Sequence, residues 1–114
     1  MSARHEPVLD QEKLDQNTMS NAELQRELFL LFFDQTPLYV DQMEEARARG
    51  DAEGWRQAAH GVKGSARALG LIRVAVVATE AEAGKPEAAT VDALREALEA
   101  TRTHVEGIEA PQAA

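Results

Sequence analysis

The 114-residue sequence contains no cysteine and has fewer basic than acidic side chains. Without cysteine the chain forms no disulfide, no thiolate zinc site and no cysteine nucleophile, which fits a reducing compartment. The formal net charge of −8 disfavours a nucleic-acid surface, because phosphate binding needs clustered positive charge. The longest apolar run, Leu28 to Phe33, is too short to span a bilayer, and the residues near Met1 lack the pattern of a signal peptide. We therefore expect a cytoplasmic protein with neither a nucleic-acid nor a membrane partner.

Strand-forming residues are also sparse, whereas alanine is abundant, so helix propensity exceeds strand propensity along most of the chain. Apolar residues at helical spacing predict long helices at about residues 21–49, 51–69, 71–83 and 91–109, after a short helical segment within 9–19. Ser20 and Glu23 have the spacing of a capping box before the first long helix. Pro37 predicts a kink in that helix, or two helices that meet there.

Short connections between consecutive helices require neighbours that pack antiparallel. The predicted fold is therefore all-α, an antiparallel up-down four-helix bundle with a short N-terminal helix. We expect residues 1–8 to form a flexible lead-in, residues 9–109 to form the bundle, and residues 110–114 to form a disordered tail.

One segment of the second long helix departs from what a plain bundle needs. At 100° per residue, four side chains fall within a sector of about 60°, well away from the centre of the apolar stripe. They are Arg56, His60, Lys63 and Arg67. The pattern predicts an exposed imidazole within a strip of positive charge, which favours an anion at that place.

Gly61 and Gly64 flank this imidazole, although a glycine inside a helix costs about 1 kcal/mol relative to alanine. Small residues there would let another protein come into contact with the helix backbone beside His60. We therefore interpret Gly64 and Gly61 as positions of partner approach, and Gly61 equally fits an incidental weak position.

A large fraction of exposed imidazoles is neutral at pH 7 and therefore nucleophilic. His60 can attack an acyl phosphate on a partner, and Lys63 and Arg67 can neutralise part of the charge that the phosphoryl group brings. Gln57, one turn earlier, is the predicted partner of the other ring nitrogen. The sequence has no nucleotide-binding motif and no carboxylate cluster beside His60 for Mg²⁺, so we expect no cofactor here and Mg²⁺ on the partner.

The residues of this segment resemble the signature of a known family. The pattern is His60-x-x-Lys63-Gly64-Ser65-Ala66-x-x-x-Gly70, followed by Leu71 and by Ala81-Glu82. It resembles histidine-containing phosphotransfer (HPt) domains of bacterial and fungal phosphorelays, over roughly residues 9 to 109. The resemblance implies His60 as phosphorylation site, Lys63 as charge partner, and Gly64 as the small residue that permits approach. It also implies response-regulator receiver domains and a hybrid histidine kinase as partners.

Two aromatic residues of the first long helix lie outside its predicted buried stripe. That stripe is expected to contain Leu24, Leu28, Leu31, Phe32, Tyr39, Met43 and Ala46. Phe29 and Phe33 then form either an apolar docking patch for the partner or a surface that the N-terminal segment covers. His5 and His104 are assigned no role, and the acidic runs 41–45 and 80–82 are interpreted as solvated helix faces.

The sequence thus favours a monomeric, stand-alone phosphocarrier of a bacterial two-component phosphorelay. His60 would accept a phosphoryl group from an aspartyl phosphate on one receiver domain and relay it to another, without an ATP-binding or kinase domain of its own. A helical interaction module that binds a receiver or kinase without being phosphorylated is the alternative. A small metal protein is disfavoured, because Arg56 and Lys63 beside His60 would repel a cation.

Overall fold

The computed structural model describes residues 5–109, in which every regular element is an α-helix. The helices are α1 (Gln11–Thr18), α2 (Ala22–Arg49), α3 (Ala52–Ala68), α4 (Ile72–Ala83) and α5 (Ala88–Glu109). The helix α2 packs on α3, α3 on α4, α4 on α5, and α5 again on α2. The predicted all-α bundle of four long helices with a short N-terminal helix is confirmed. The predictions for residues 1–4 and 110–114 lie outside the described residues.

The segment before α1 lies against the turn between α3 and α4. Arg73 donates two hydrogen bonds to the carbonyl oxygen of Glu6, at 2.9 and 2.8 Å. The Asp10 N–H donates to the carbonyl oxygen of Gly70 at 2.7 Å. Gly70 has a φ of +67°, and a Cβ there would lie 2.7 Å from the carbonyl oxygen of Asp10, so this close approach requires glycine. The described part of the predicted lead-in is therefore held on the bundle.

The start of α2 differs from the sequence-based prediction. The side chain of Asn21 is the N-cap and accepts a hydrogen bond from the Leu24 N–H at 3.0 Å. Ser20 has a φ of 54°, whereas an N-cap residue is normally in the β region. The predicted capping box of Ser20 with Glu23 is therefore wrong. The helix α2 continues through Pro37, so the alternative of two separate helices is wrong as well.

Each long helix buries one stripe in a common core. The buried side chains of α2 are Phe29, Phe32, Thr36, Val40, Met43 and Ala46. Leu24 and Leu31 are 36% and 50% exposed, so their predicted place in this stripe is wrong. The side of α2 that faces the core includes Phe29 instead. Between α3 and α4, the buried Trp55 donates an Nε1 hydrogen bond to the carbonyl oxygen of Ala81 at 2.8 Å.

Candidate functional site

His60 lies in the middle of α3, with its side chain 67% exposed. Ala59 and Val62, on either side of it in the sequence, are fully buried and anchor the helix to the core. The imidazole therefore faces solvent, on the side of α3 that the helical periodicity predicts.

Glu82, on α4, contacts one nitrogen of this imidazole. Its Oε2 lies 3.1 Å from His60 Nδ1 and 2.9 Å from Lys63 Nζ. An ionised carboxylate can only accept a hydrogen bond, so this contact assigns the proton of the neutral ring to Nδ1. Nε2 then carries the free lone pair, and it has no hydrogen-bond partner within residues 5–109. The arrangement leaves Nε2 as the nucleophilic atom of the site.

Lys63 lies one turn after His60 on α3, and its side chain is only 16% exposed. The hydrogen bond from Lys63 is the largest cause that lowers the pKa of the Glu82 carboxyl; burial acts in the opposite direction, and the hydrogen bond from His60 lowers this pKa further. Glu82 is therefore ionised at neutral pH. Its side chain is 21% exposed, so the interpretation of the run 80–82 as a solvated face is wrong at Glu82.

The lowered pKa of Glu82 makes the stability of the protein depend on pH. Because the pKa in the folded state lies below the ordinary value of 4.5, the ionised carboxylate stabilises the fold above that pH. This contribution is lost as the pH falls through the lowered pKa. We therefore expect Glu82→Gln to lower the free energy of unfolding at neutral pH, with a difference from wild type that shrinks below pH 4.5.

Chemical denaturation of both proteins between about pH 7 and pH 3 measures this difference. Glu80→Gln is the matched control, since Glu80 is an exposed glutamate on the same helix. A difference between wild type and Glu82→Gln that stays constant down to the lowest pH would contradict the contacts of Glu82.

The positive strip around His60 is partly neutralised by carboxylates. Arg56 forms an ion pair with Glu53 on the same helix, with a second contact of 3.1 Å from its Nε. Lys63 is paired with Glu82, as described above. Arg67, two turns after His60, is exposed and forms no ion pair with the residues that the structure describes. One unpaired cation of α3 therefore remains available to an incoming anion.

Gln57 does not contact the imidazole. Its Nε2 donates to Glu53 Oε1 at 3.2 Å, on the exposed side of α3. The predicted role of Gln57 in fixing the tautomer is therefore wrong, and Glu82 occupies that place. Gln57 lies on a neighbouring turn of α3, whereas the ring contacts a side chain of α4. The sequence does contain a signal for the contact between His60 and Glu82. The two residues are nearly equidistant from the turn at Gly70, so an antiparallel pair of helices places them side by side.

The two glycines beside His60 have different surroundings. A Cβ at Gly64 would have no atom within 4 Å, so the helix surface is open there to a partner. A Cβ at Gly61 would lie 2.9 Å from Cε1 of Tyr39, a side chain of α2. Gly61 makes room for an aromatic ring of its own chain. Its interpretations as a point of partner approach and as an incidental weak position are therefore both wrong.

This difference predicts that alanine stabilises the protein at Gly64 but not at Gly61. Gly64→Ala should raise the free energy of unfolding by about 1 kcal/mol, because alanine is the better helix former and its methyl group meets open space. Gly61→Ala should be less stable than Gly64→Ala by at least the same amount, because the Tyr39 ring must move. Urea denaturation of the two variants measures both values. An equal gain in both would contradict the packing of Tyr39 on Gly61.

The predicted docking patch of Phe29 and Phe33 is not present as a surface. Phe29 belongs to the core and is 6% exposed, so its assignment to the patch is wrong. Phe33 is half-buried, with the guanidinium of Arg102 on α5 4.6 Å from its ring centroid. Within the apolar run from Leu28 to Phe33, the exposed residues are instead Leu30 and Leu31, at 62% and 50%.

Residues 5–109 contain neither of two other kinds of site. No three histidine, aspartate or glutamate side chains of this range are grouped so that they could hold a metal ion. None of the helices in the same range is long and apolar enough to cross a membrane.

The fold and the site together define a helical bundle that presents one oriented, exposed imidazole to solvent. The chain matches the family model of the Hpt domain over residues 27–106, which include His60, Lys63 and Glu82. It therefore belongs to the Hpt domain family, whose members carry phosphoryl groups rather than act as kinases and interact with receiver domains and histidine kinases. Comparison with curated proteins and with solved structures gives no significant match.

Proposed function

We propose that His60 accepts a phosphoryl group from an aspartyl phosphate on a receiver domain and passes it to a second receiver domain. The observation that carries the proposal is the contact of Glu82 Oε2 with His60 Nδ1, which leaves Nε2 of an exposed ring free to attack. Membership of the Hpt family supports it. The protein would then be a cytoplasmic intermediate of a two-component phosphorelay, between a hybrid histidine kinase and a response regulator.

The proposed transfer exchanges one bond to phosphorus for another. The lone pair of His60 Nε2 attacks the phosphorus atom, and the N–P bond forms as the bond from phosphorus to the aspartyl oxygen breaks. The electron pair of the broken bond stays with the partner's carboxylate. The phosphorylated ring keeps its Nδ1 proton and is positively charged, which the Glu82 carboxylate stabilises. The reverse steps on a second receiver restore the neutral ring.

Lys63 is the cation best placed to stabilise the transferred group. Its Nζ binds the same carboxylate oxygen that contacts His60, so a rotation of the flexible stem carries it toward a phosphoryl group on Nε2. A phosphoryl group adds a charge of about −1.5 to −2, which competes with Glu82 for this ammonium. Arg67, which is unpaired, adds positive charge two turns away. We expect any Mg²⁺ needed to stabilise the aspartyl phosphate to be bound by the receiver.

The test is transfer from a purified receiver domain that has been phosphorylated with a small acyl phosphate and freed of the reagent. We expect the protein to gain a phosphoryl group that is labile in acid and stable in alkali, as a nitrogen-linked phosphate is. Mass spectrometry of peptides should locate it on His60, and a second receiver should remove it. Stable binding of the receiver without transfer would instead support the non-phosphorylated interaction module.

A further inference from the structure

We propose that a cleft between α1, α3 and α4 is a binding site for a small amphipathic carboxylate, of the class of medium-chain fatty acid anions. The aliphatic chain would lie along α4, and the carboxylate group would be bound by Lys13 and Arg67. This site goes beyond the proposed function and does not depend on phosphoryl transfer at His60.

The cleft has the size of a small-molecule site. Its volume is about 390 Å³, and its lining comes from α1, from the end of α3, from the turn at Gly70 and from α4. Ligand sites in proteins commonly have volumes of about 300 to 1,000 Å³, with mostly apolar walls and a few polar groups. The cleft therefore has room for an aliphatic chain with one charged end.

Two hydrogen bonds hold the walls of the cleft together. The Asp10 N–H, just before α1, donates to the carbonyl oxygen of Gly70 at 2.7 Å. Near the other end of α1, Asn17 Nδ2 donates to the carbonyl oxygen of Ala68 at 2.9 Å. Both ends of α1 are thus attached to the end of α3 or to the turn that follows it. A cleft with fixed walls needs little reorganisation to accept a ligand.

The α4 wall of the cleft carries apolar side chains that the core does not use. The core contains Val74, Val77 and Ala81 of this helix. Ile72 and Val76 are half-buried and line the cleft, and in the part of the chain that the structure describes they do not pack against the core. Because they are four residues apart, they lie on the same side of α4. An aliphatic chain that covers both would be stabilised by removing their surface from water.

The α1 and α3 walls carry two cations that have no carboxylate partner. Lys13 and Arg67 are exposed, line the cleft and form no ion pair within residues 5–109. The carboxylates of Asp10 and Glu80 also line the cleft. One Asp10 oxygen caps α1 by accepting a hydrogen bond from the Lys13 N–H at 3.1 Å, and Glu80 is exposed. Neither carboxylate pairs with the two cations, so both cations remain available to an anion.

The combination of an apolar wall with unpaired cations defines the class of ligand. A neutral apolar ligand would leave both cations unpaired, and a small inorganic anion would leave Ile72 and Val76 in water. A carboxylate with an aliphatic chain interacts with both kinds of wall. The guanidinium of Arg67 suits such a ligand, because its planar fork can donate two parallel hydrogen bonds to one carboxylate.

Titration of isotope-labelled protein with octanoate, followed by NMR, tests the proposal. We expect saturable shifts of the backbone amide signals of residues 70–80. Acetate, which lacks the chain, and 1-octanol, which lacks the charge, should each bind about 10-fold more weakly or less. Lys13→Gln and Arg67→Gln should each weaken octanoate binding about 3- to 10-fold through the loss of a charge-assisted hydrogen bond. Val76→Ser should weaken it by a similar factor through the loss of apolar contact.

Lys85→Gln and Arg26→Gln are the matched controls, because both residues are exposed cations outside the lining of the cleft. Both control variants should bind octanoate as the wild type does. Absence of saturable shifts, equal binding of 1-octanol, or the same loss of affinity in the control variants would overturn the proposal. None of these results would bear on the proposed function, because phosphorylation of His60 by a receiver domain is measured without octanoate.

Discussion

A His60→Gln variant should accept no phosphoryl group from a phosphorylated receiver domain. Glutamine has no nucleophilic nitrogen, and in the proposed transfer Nε2 of His60 forms the bond to phosphorus. The side chain is 67% exposed, so the free energy of unfolding should stay within about 0.5 kcal/mol of wild type. Electrophoresis that separates the phosphorylated from the unphosphorylated protein measures acceptance, and thermal unfolding confirms that the variant is folded.

His104→Gln is the matched control for this variant. His104 is an exposed histidine on α5, outside the contacts of the site, and its loss should leave phosphoryl transfer unchanged. A His60→Gln protein that still becomes phosphorylated would contradict the proposed function, as would a loss of transfer in His104→Gln.

A Glu82→Gln variant should transfer phosphate roughly 10- to 100-fold more slowly, with little change in KM for the receiver. Glutamine has nearly the same size, and its amide oxygen can still accept a hydrogen bond from Nδ1. It carries no charge, however, so it would not stabilise the positive ring that the proposed transfer forms. It also leaves Lys63 without its carboxylate partner.

Rapid-quench measurement of a single transfer step gives the rate in both directions. Because the charged ring is formed in one direction and consumed in the other, Glu82→Gln should slow acceptance and shift the equilibrium toward the aspartyl phosphate. Glu80→Gln, on the exposed side of the same helix, should behave as wild type. A rate for Glu82→Gln within twofold of wild type would show that the carboxylate has no part in the reaction.

The helices and the exposure of His60 were predictable because both depend on local periodicity. The apolar stripe of α3 sets the rotation of the helix about its axis, and that rotation alone decides that His60 faces outward. The predicted limits of α3 and α4 differ from the observed ones by at most one residue at either end, because Gly50 and Gly70 mark the turns in the sequence.

The residues that contact His60 and Gly61 were not predictable from periodicity, because they come from other helices. Glu82 reaches the imidazole through the register of α3 against α4, and Tyr39 reaches Gly61 through the packing of α2 on α3. The same reason explains why Phe29 was wrongly assigned to a docking patch. A run of six apolar residues in α2 offers more than one possible buried side, and contacts with the other helices decide which one is used.

The hydrogen bond between Trp55 and the carbonyl oxygen of Ala81 gives the protein a built-in optical probe. Trp55 is the single tryptophan of the chain, and Ala81 precedes Glu82 on α4. Trp55 precedes His60 by five residues on α3, which separates their Cα atoms by about 7.5 Å along the helix axis. Its ultraviolet emission therefore reports from the same pair of helices that holds the imidazole. Separation of α3 from α4 will change that emission without any label attached to the protein.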